Sequence, residues 1–323
     1  MPNRSRITVV GAGIVGASIA YHAARAGAAV TLIDADRPGA GVTANSFAWI
    51  GASGVRKGAA AALRSSAIEE YHRLETELPN LPVTWSGSLT WGLPDAAPEA
   101  GPGQEIVDAA TVARLEPNVR QPPEWAIWAP GDGAVDPVGV TERLVEGARA
   151  HGAEVHSNTP VTAIPRDGTT VVLAAGVATA ALAAKLGVHI PVGPSPATLM
   201  RFGAPPGLVH TVVNTADFDL RQVAPDRLVA AADSPERTLA AIRSTFRGAE
   251  NVDLLSTRTA ARPMPIDGEP IVGPVAAVPG LYVAVLHSAI TLAPAVGRLV
   301  ARELLTGTAE PLLAGCRPDR FGG

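Results

Sequence analysis

The sequence predicts an α/β protein with two lobes: a larger domain on a parallel sheet and a second, smaller α+β domain built on an antiparallel sheet. Two observations predict this architecture. The first is a strand, a glycine turn, a helix and a second strand between Arg6 and Asp34. The second is a change after residue 79 from helical spacing to short apolar runs separated by Gly, Pro and Trp.

The N-terminal unit has the spacing of a dinucleotide-binding turn. Gly11 permits a tight reversal after the first strand, Gly13 lets the backbone approach a pyrophosphate, and Gly16 lets the helix pack close to the sheet. The phosphates would meet free amides at the helix start, and Asp34 would accept the ribose hydroxyls and repel a 2′-phosphate. The unit therefore predicts a Rossmann-type domain, and the motif alone leaves NAD and FAD open.

Composition predicts a soluble globular protein with a small-molecule partner. The 323 residues carry a formal net charge of −4, without the excess of basic residues that nucleic acid or an anionic membrane usually requires. Cys316 is the only cysteine, which excludes an intrachain disulfide and a thiolate metal cluster, and no metal is expected. The longest apolar run, at residues 171–184, is too short for a membrane span, and no signal peptide precedes the first strand, so we expect a cytoplasmic location.

The loop and helix after Asp34 extend this first domain. The loop at residues 37–51 is rich in small residues but contains Phe47 and Trp49, which favours contact with a flat ligand over a flexible surface loop. A helix is predicted from Ala59 to about Leu78, ended by Pro79.

The remaining elements alternate between the two lobes. In order, we predict strands of a separate sheet at 83–85 and 88–91, a helix at 136–151, strands at 154–156, 161–164 and 170–176, a meander at 211–231, a helix at 235–246, a strand at 281–286 and a helix to about 305. The larger domain is thus predicted to be discontinuous, comprising residues 1–79, 134–190 and 257–323. Residues 80–133 and 191–256 form the predicted substrate domain.

These residues resemble the FAD-dependent amine and amino-acid oxidases, a family that includes D-amino-acid oxidase, glycine oxidase and sarcosine oxidase, with glycine oxidase the most similar in kind. Five blocks occur in the family's order: the Gly11–Gly16 turn with Asp34, the Val161 strand, the turn at 171–176, the block at 262–273, and the strand, loop and helix at 281–294. An NAD dehydrogenase would have no reason to carry the two C-terminal blocks at 262–273 and 281–294. The resemblance therefore favours FAD over NAD.

The resemblance implies a non-covalent FAD, because no cysteine lies near the C-terminal block and no histidine lies at residues 43–49. The helix beginning near Thr291 would direct its N-terminal amides at the pyrimidine edge of the flavin. The implied cofactor-binding residues are Gly11, Gly13, Ile14, Val15, Gly16, Asp34, Thr43, Ala48, Trp49, Val161, Ala175, Gly176, Ser288, Ala289, Ile290 and Thr291.

The resemblance also implies a reaction and its substrate contacts. A substrate amine passes hydride from its α carbon to flavin N5, the imine hydrolyses, and molecular oxygen takes the electrons to give hydrogen peroxide. Arg262 matches the family arginine that binds the substrate carboxylate, which a guanidinium can hold with two hydrogen bonds; the alternative is a salt bridge. Arg221 and His287 are further candidates, with a solvated strand-edge pair and a loop histidine satisfied by backbone as their alternatives.

Two departures from the family bear on the substrate. The segment at 287–294 looks shorter than in glycine oxidase and lacks an arginine often found there, so we expect an N-substituted glycine or another bulky amino acid. Asp219 stands where glycine oxidases tend to carry a tyrosine, which leaves the contacts to the amine open. Alternative functions are a flavin dehydrogenase with a non-oxygen acceptor and a non-catalytic FAD-binding subunit, and the sequence leaves a homo-oligomer open.

Overall fold

The computed structural model describes residues 5–52, 57–93, 99–165 and 168–322. Within these ranges the chain forms three sheets, one mostly parallel and two mostly antiparallel. The predicted α/β class, with a parallel and an antiparallel sheet, is confirmed.

The six-stranded sheet carries the glycine turn. Its neighbouring strands pair in parallel, except for one antiparallel pair at an edge of the sheet. Its strands, in spatial order, are β16 (Ile271–Pro274), β17 (Leu281–Val285), β10 (Thr170–Leu173), β1 (Arg6–Val10), β2 (Ala29–Ile33) and β9 (Glu154–His156).

Both faces of this sheet are buried, which explains the continuous apolar runs of its strands. On one face, alternate residues such as Val9 and Leu32 pack with three long helices, and on the other face Val10 and Leu173 pack with a short one. The three helices are α1 (Ile14–Arg25), α5 (Pro137–Ala150) and α8 (Ala289–Thr306), and the short one is α6 (Ala178–Ala184). Asp136 caps α5 by accepting from the Val138 amide, as its position before Pro137 predicts.

The eight-stranded sheet is antiparallel except for one parallel pair, between the fifth and sixth strands of its spatial order. Its strands, in spatial order, are β15 (Asp253–Pro265), β11 (Val192–Gly203), β14 (Arg227–Ala231), β13 (Asp219–Ala224), β12 (Val212–Asn214), β5 (Ser88–Thr90), β7 (Trp125–Ala129) and β6 (Glu105–Asp108). Helix α7 (Pro235–Thr245) packs its Ile242 against Met200 and Leu220 on one face, and α4 (Ala109–Leu115) packs beside β6 and β7. The opposite face of β11, β13 and β14 is free to line a cavity.

A small third sheet joins these two parts of the chain. It consists of β3 (Trp49–Ile50), β8 (Gly133–Val135) and β4 (Val83–Thr84), paired antiparallel. The predicted strand at residues 83–85 therefore pairs with β8, which pairs in turn with β3 in the loop at 37–51, and it does not lie in a sheet confined to residues 80–133.

Two sequence predictions in this region need correction. The predicted helix at 59–78 is two helices, α2 (Ala59–Ser65) and α3 (Ala67–Glu77), with a break at Ser66. The predicted strand at 161–164 is irregular chain. It lies between Pro160 and Pro165, which lack the amide hydrogen that a strand ladder needs.

The longest strand pair, β11 with β15, lies at the edge of the eight-stranded sheet, and its Val192 end packs against the apolar cluster beside α6. Its register starts at Val192 opposite Pro265 and continues to Gly203 opposite Asp253, with one irregularity after Arg201. The predicted boundary between residues 256 and 257 lies inside β15. The division into two domains remains a prediction, and Arg262 lies near the end of β15 where its partner strand packs against the apolar cluster beside α6.

Candidate active site

The glycine turn after β1 is so crowded that two of its positions require glycine. Gly11 has a φ of +105°, and a Cβ there would lie 2.5 Å from the Ala174 carbonyl oxygen. A Cβ on Gly16 would lie 1.8 Å from the Gly11 carbonyl oxygen. The start of α1 is therefore held directly against the ends of β1 and β10.

A groove of about 440 Å³ opens beside this turn. Gly13 lies at its floor, and the Ile14 amide donates to Oγ1 of Thr43 at 3.3 Å. The first amides of α1 have no partner within the helix and face the same groove, which suits the phosphates of a dinucleotide. Of the predicted cofactor residues, those lining the groove are Gly11, Gly13, Ile14, Val15, Asp34, Thr43, Val161, Ala175, Gly176 and Ala289.

Asp34 presents a fixed carboxylate to this groove. Its Oδ2 accepts from the Ala12 amide at 2.5 Å, and its Oδ1 accepts from the Asp36 amide at 2.8 Å. Two backbone donors hold the carboxylate in place and leave lone pairs for a ribose diol. Val161 lines the groove although it belongs to no strand.

A second cavity of about 360 Å³ continues from the groove, because Ile14, Thr43 and Ala289 line both. Three parts of the chain enclose it: the loop at 42–51, one face of the large sheet, and the residues between β17 and α8. The predicted residues along its wall are Ile14, Thr43, Ala48, Trp49, Arg262, His287, Ser288, Ala289, Ile290 and Thr291. A groove for a dinucleotide that leads into a second cavity fits an FAD whose flavin lies in that cavity.

The N-terminus of α8 faces this second cavity. The helix begins at Ala289, two residues before the predicted start, so the predicted loop at 287–294 is mostly the first turns of a helix. Ser288 before it has a φ of +59°, the left-handed conformation. Tyr71 of α3 donates to the Ile290 carbonyl at 2.6 Å, and Thr291 donates to the Trp49 carbonyl at 3.2 Å. These bonds hold the start of α8 against α3 and against the loop at 42–51.

Arg262 lies in the cavity wall with part of its hydrogen-bonding capacity unused. One terminal nitrogen donates to Oγ of Ser195 on the adjacent strand at 3.0 Å. Its Nε is buried and has no hydrogen-bond partner among the described residues. Because the Nε is not accessible from the cavity, a bound carboxylate would meet the terminal nitrogens of the guanidinium.

His287 lines the cavity between two arginines. Burial lowers its pKa, and the positive charges of Arg262 and Arg64 lower it further. The imidazole is therefore neutral near pH 7. A neutral imidazole adds no positive charge to this wall, so the cationic side chains that line the cavity are those of Arg262 and Arg64.

Arg221 has a different position from either prediction. It is buried, and it is not among the described residues that line the cavity. Its Nε donates to the Phe47 carbonyl at 2.8 Å, a terminal nitrogen donates to the Val135 carbonyl at 2.9 Å, and burial lowers its pKa to about 10. Arg221 holds the loop that forms the cavity wall, and it is neither a solvated strand-edge pair nor a lining residue.

Arg64 and Asp132 support the cavity wall but carry no motif in the sequence. Arg64 of α2 lines the cavity and donates to the Gly51 carbonyl at 3.1 Å and to Oγ of Ser288. Asp132, from the turn before β8, accepts from Nε1 of Trp49 at 3.1 Å and fixes its indole. Only the tertiary fold brings these side chains to the site, so periodicity could not indicate them.

Among the described residues, no helix is long and apolar enough to cross a membrane, and no group of three or more His, Cys, Asp or Glu side chains is arranged to hold a metal ion.

A family model described as DAO, FAD dependent oxidoreductase, matches residues 6–303. The chain belongs to this family. FAD is therefore its cofactor, and the groove and cavity described above fit that cofactor. The predicted family resemblance and enzyme class are confirmed.

The individual relatives have low sequence identity to this chain. The chain is 30% identical over 230 residues, 59% of its length, to 4-methylaminobutanoate oxidase (formaldehyde-forming) of Paenarthrobacter nicotinovorans, and 27% identical over 245 residues, 64% of its length, to hydrogen cyanide synthase subunit HcnC of Pseudomonas protegens. These matches span 27% and 58% of the two relatives. The structure of glycine oxidase from Geobacillus kaustophilus superposes with a TM-score of 0.87 over 99% of this chain and 100% of that one, at 20% identity, which shows a shared fold.

Proposed function

We propose that this FAD-dependent oxidoreductase oxidises the C–N bond of an amino acid, with N-substituted glycines as the favoured substrates, and passes the electrons to molecular oxygen. The observation that carries the proposal is the guanidinium of Arg262 in the wall of a cavity that continues from the dinucleotide groove. A substrate carboxylate at that point is held beside the expected flavin position.

The residues of the chain bind and orient the substrate. Arg262 binds the carboxylate, and the neutral ring of His287 lines the same wall without adding charge. The amides at the start of α8 favour negative charge on the group they face. FAD, when bound, supplies the two-electron acceptor.

The walls of the cavity support an N-substituted substrate. Small side chains, Ala197 and Ala231 on the sheet and Ala289 on α8, leave room beside the carboxylate position. The connection from β17 to α8 is only residues 286–288, so no long loop covers the cavity there. The relative named 4-methylaminobutanoate oxidase acts on an N-methylated amino acid, which supports the same class.

The test compares glycine with N-alkylglycines as substrates of the FAD-loaded protein. We expect N-alkylglycines to be oxidised faster, with one hydrogen peroxide formed for each imine that is released and hydrolysed. Glycine turnover equal to or above that of N-alkylglycines would reject the substrate class. Peroxide is measured with a coupled peroxidase assay and the carbonyl product by mass spectrometry.

A second candidate function is electron transfer to an acceptor other than oxygen within a larger assembly. The similarity to HcnC, a protein named as a subunit of hydrogen cyanide synthase, favours it. Reduced flavin that reoxidises slowly in oxygen but quickly with a quinone would support this candidate. Flavin that no amine reduces would favour the non-catalytic subunit.

A further inference from the structure

We propose that Asp219 binds a cationic group at the end of the substrate remote from Arg262, so that the preferred substrate is an amino acid carrying a second, distal ammonium or guanidinium. This inference rests on the proposed function, because it takes the substrate carboxylate to be at Arg262.

Asp219 and Arg262 lie in the wall of the same cavity, on the same face of the large sheet. Met200 and Leu220, on the other face, pack against α7. Asp219, Leu199 and Arg262 line the cavity. One cavity therefore has a fixed anion and a fixed cation in its wall.

The strand register sets the separation of these two charges. Asp219 pairs with Ala231, which pairs with Leu199 of β11, while Arg262 pairs with Ser195 of the same strand. The two residues are three strand spacings and four residues apart, which places their Cα atoms about 20 Å apart at ordinary sheet dimensions. Both side chains stand roughly perpendicular to the same face of the sheet, so leaning toward each other shortens this distance by only a few Å.

This separation excludes the α-amine as the partner of Asp219. In an amino acid the amine lies within about 3 Å of its own carboxylate. With the carboxylate at Arg262, the reacting amine stays near that end of the cavity. Asp219 is therefore available to a group several bonds further along the substrate.

The surroundings of Asp219 suit a cationic ligand. The residue is half-buried, and its Oδ1 accepts from Nδ2 of Asn214 at 2.5 Å. No ion pair forms between Asp219 and another described residue. Burial raises its pKa, with the Asn214 hydrogen bond acting in the opposite direction. A ligand cation would compensate the carboxylate for lost hydration.

The position also gives a long substituent a way out of the cavity. Asp219 and Ala231 line both the cavity and a shallow outer groove, whose wall includes Asp217 and Asp233. The charged side chains of this groove other than Asp219 are Asp217, Asp233 and Arg237, so its wall carries two further carboxylates and one guanidinium.

The experiment uses two ligand pairs that differ only in the distal ammonium: lysine and norleucine in both enantiomers, and an N-(aminoalkyl)glycine and the N-alkylglycine of equal chain length. Binding to the FAD-loaded protein is titrated by calorimetry, and flavin reduction is followed separately in the absence of oxygen. We expect the ammonium-bearing member of at least one pair to bind about ten- to a hundredfold more tightly. Asp219→Asn, which keeps the shape and an acceptor for Asn214, should remove this preference and leave the affinity of the neutral member unchanged.

Asp226→Asn is the matched control, because Asp226 is exposed at the turn between β13 and β14 and lines neither the cavity nor the outer groove. It should retain the preference. Equal affinities within both pairs in the wild type, or an unchanged preference in Asp219→Asn, would overturn the role of Asp219 while reduction by N-alkylglycines still supports the proposed function. Protein whose flavin is reduced by none of these amines contradicts the proposed function itself.

Discussion

Three arginines beside the cavity show how the partner of a side chain decides what it does. Arg262 keeps a buried nitrogen without a partner, whereas Arg221 uses its nitrogens on two backbone carbonyls and Arg64 connects Gly51 to Ser288. Only an arginine with unused donors can bind a substrate carboxylate without breaking an existing contact.

Replacing Arg262 by lysine tests the assignment of the carboxylate site. Lysine keeps the charge but cannot make the two parallel hydrogen bonds of a guanidinium. We expect KM to rise about ten- to a hundredfold, with the FAD content of the purified protein unchanged. Steady-state kinetics and the flavin-to-protein absorbance ratio measure the two quantities.

Arg258→Lys is the control, since Arg258 is exposed on the same strand, β15. It should leave KM unchanged. An unaltered KM in Arg262→Lys would exclude this residue from carboxylate binding.

The neighbourhood of Arg262 could be predicted from the sequence, but that of Arg221 could not. Arg262 stands in a family block with a recognisable order of residues. The direction of Arg221 depends on the carbonyls of Phe47 and Val135, which are 174 and 86 residues away along the chain. Such partners follow from the tertiary fold and leave no local pattern.

At the scale of the element, the best predictions rest on strong local constraints. The strand, turn and helix at residues 6–25 were predictable because glycine spacing and apolar periodicity indicate the same structure. The prediction of a strand at 161–164 was wrong: three of its four residues are β-branched, which favours a strand, but Val161 and Ile164 pack in irregular chain against α6. Proline on both sides was the overlooked signal.

Gly16→Ala tests the contact between α1 and the glycine turn. The new Cβ would overlap the Gly11 carbonyl, so the helix start must move away from the groove. We expect a loss of about 1–3 kcal/mol in the free energy of unfolding, together with weaker FAD binding. Urea unfolding and fluorescence titration with FAD measure these effects.

Gly193→Ala serves for comparison, because no atom lies within 4 Å of a Cβ there and its φ is not left-handed. Wild-type affinity for FAD in Gly16→Ala would show that the close approach is not needed for the cofactor.

His22 provides a test of the packing of α1 against α3 and α8. Burial, with the positive charges of Arg73, Arg25 and Arg298, lowers its pKa from 6.5 to about 3. Below pH 6.5 the unfolded chain binds this proton and the folded chain does not, so the contribution to stability is complete above pH 6.5 and declines as the pH falls toward 3. Wild-type protein should lose about 2 kcal/mol more stability than His22→Gln between pH 7 and pH 5.

Urea unfolding at the two pH values measures this difference, since all other titrating groups are shared by the two proteins. Parallel losses in both would mean that His22 is protonated in the folded state.

At the scale of the whole molecule, the site forms where separate parts of the chain meet. The cavity takes walls from the loop at 42–51, from β11, β13 and β15, and from the start of α8. The sequence predicted two kinds of sheet but not their junction, because β11 and β15 form a continuous ribbon that passes between them. This ribbon brings Arg262 beside the groove.

The visible spectrum of the FAD-loaded protein, recorded without oxygen before and after addition of an amino acid, tests the central claim most directly. We predict that an N-substituted amino acid abolishes the absorbance of oxidised flavin and that oxygen restores it with formation of hydrogen peroxide. A protein that takes up no FAD, or a bound flavin that no amine bleaches, would contradict the proposed oxidase function.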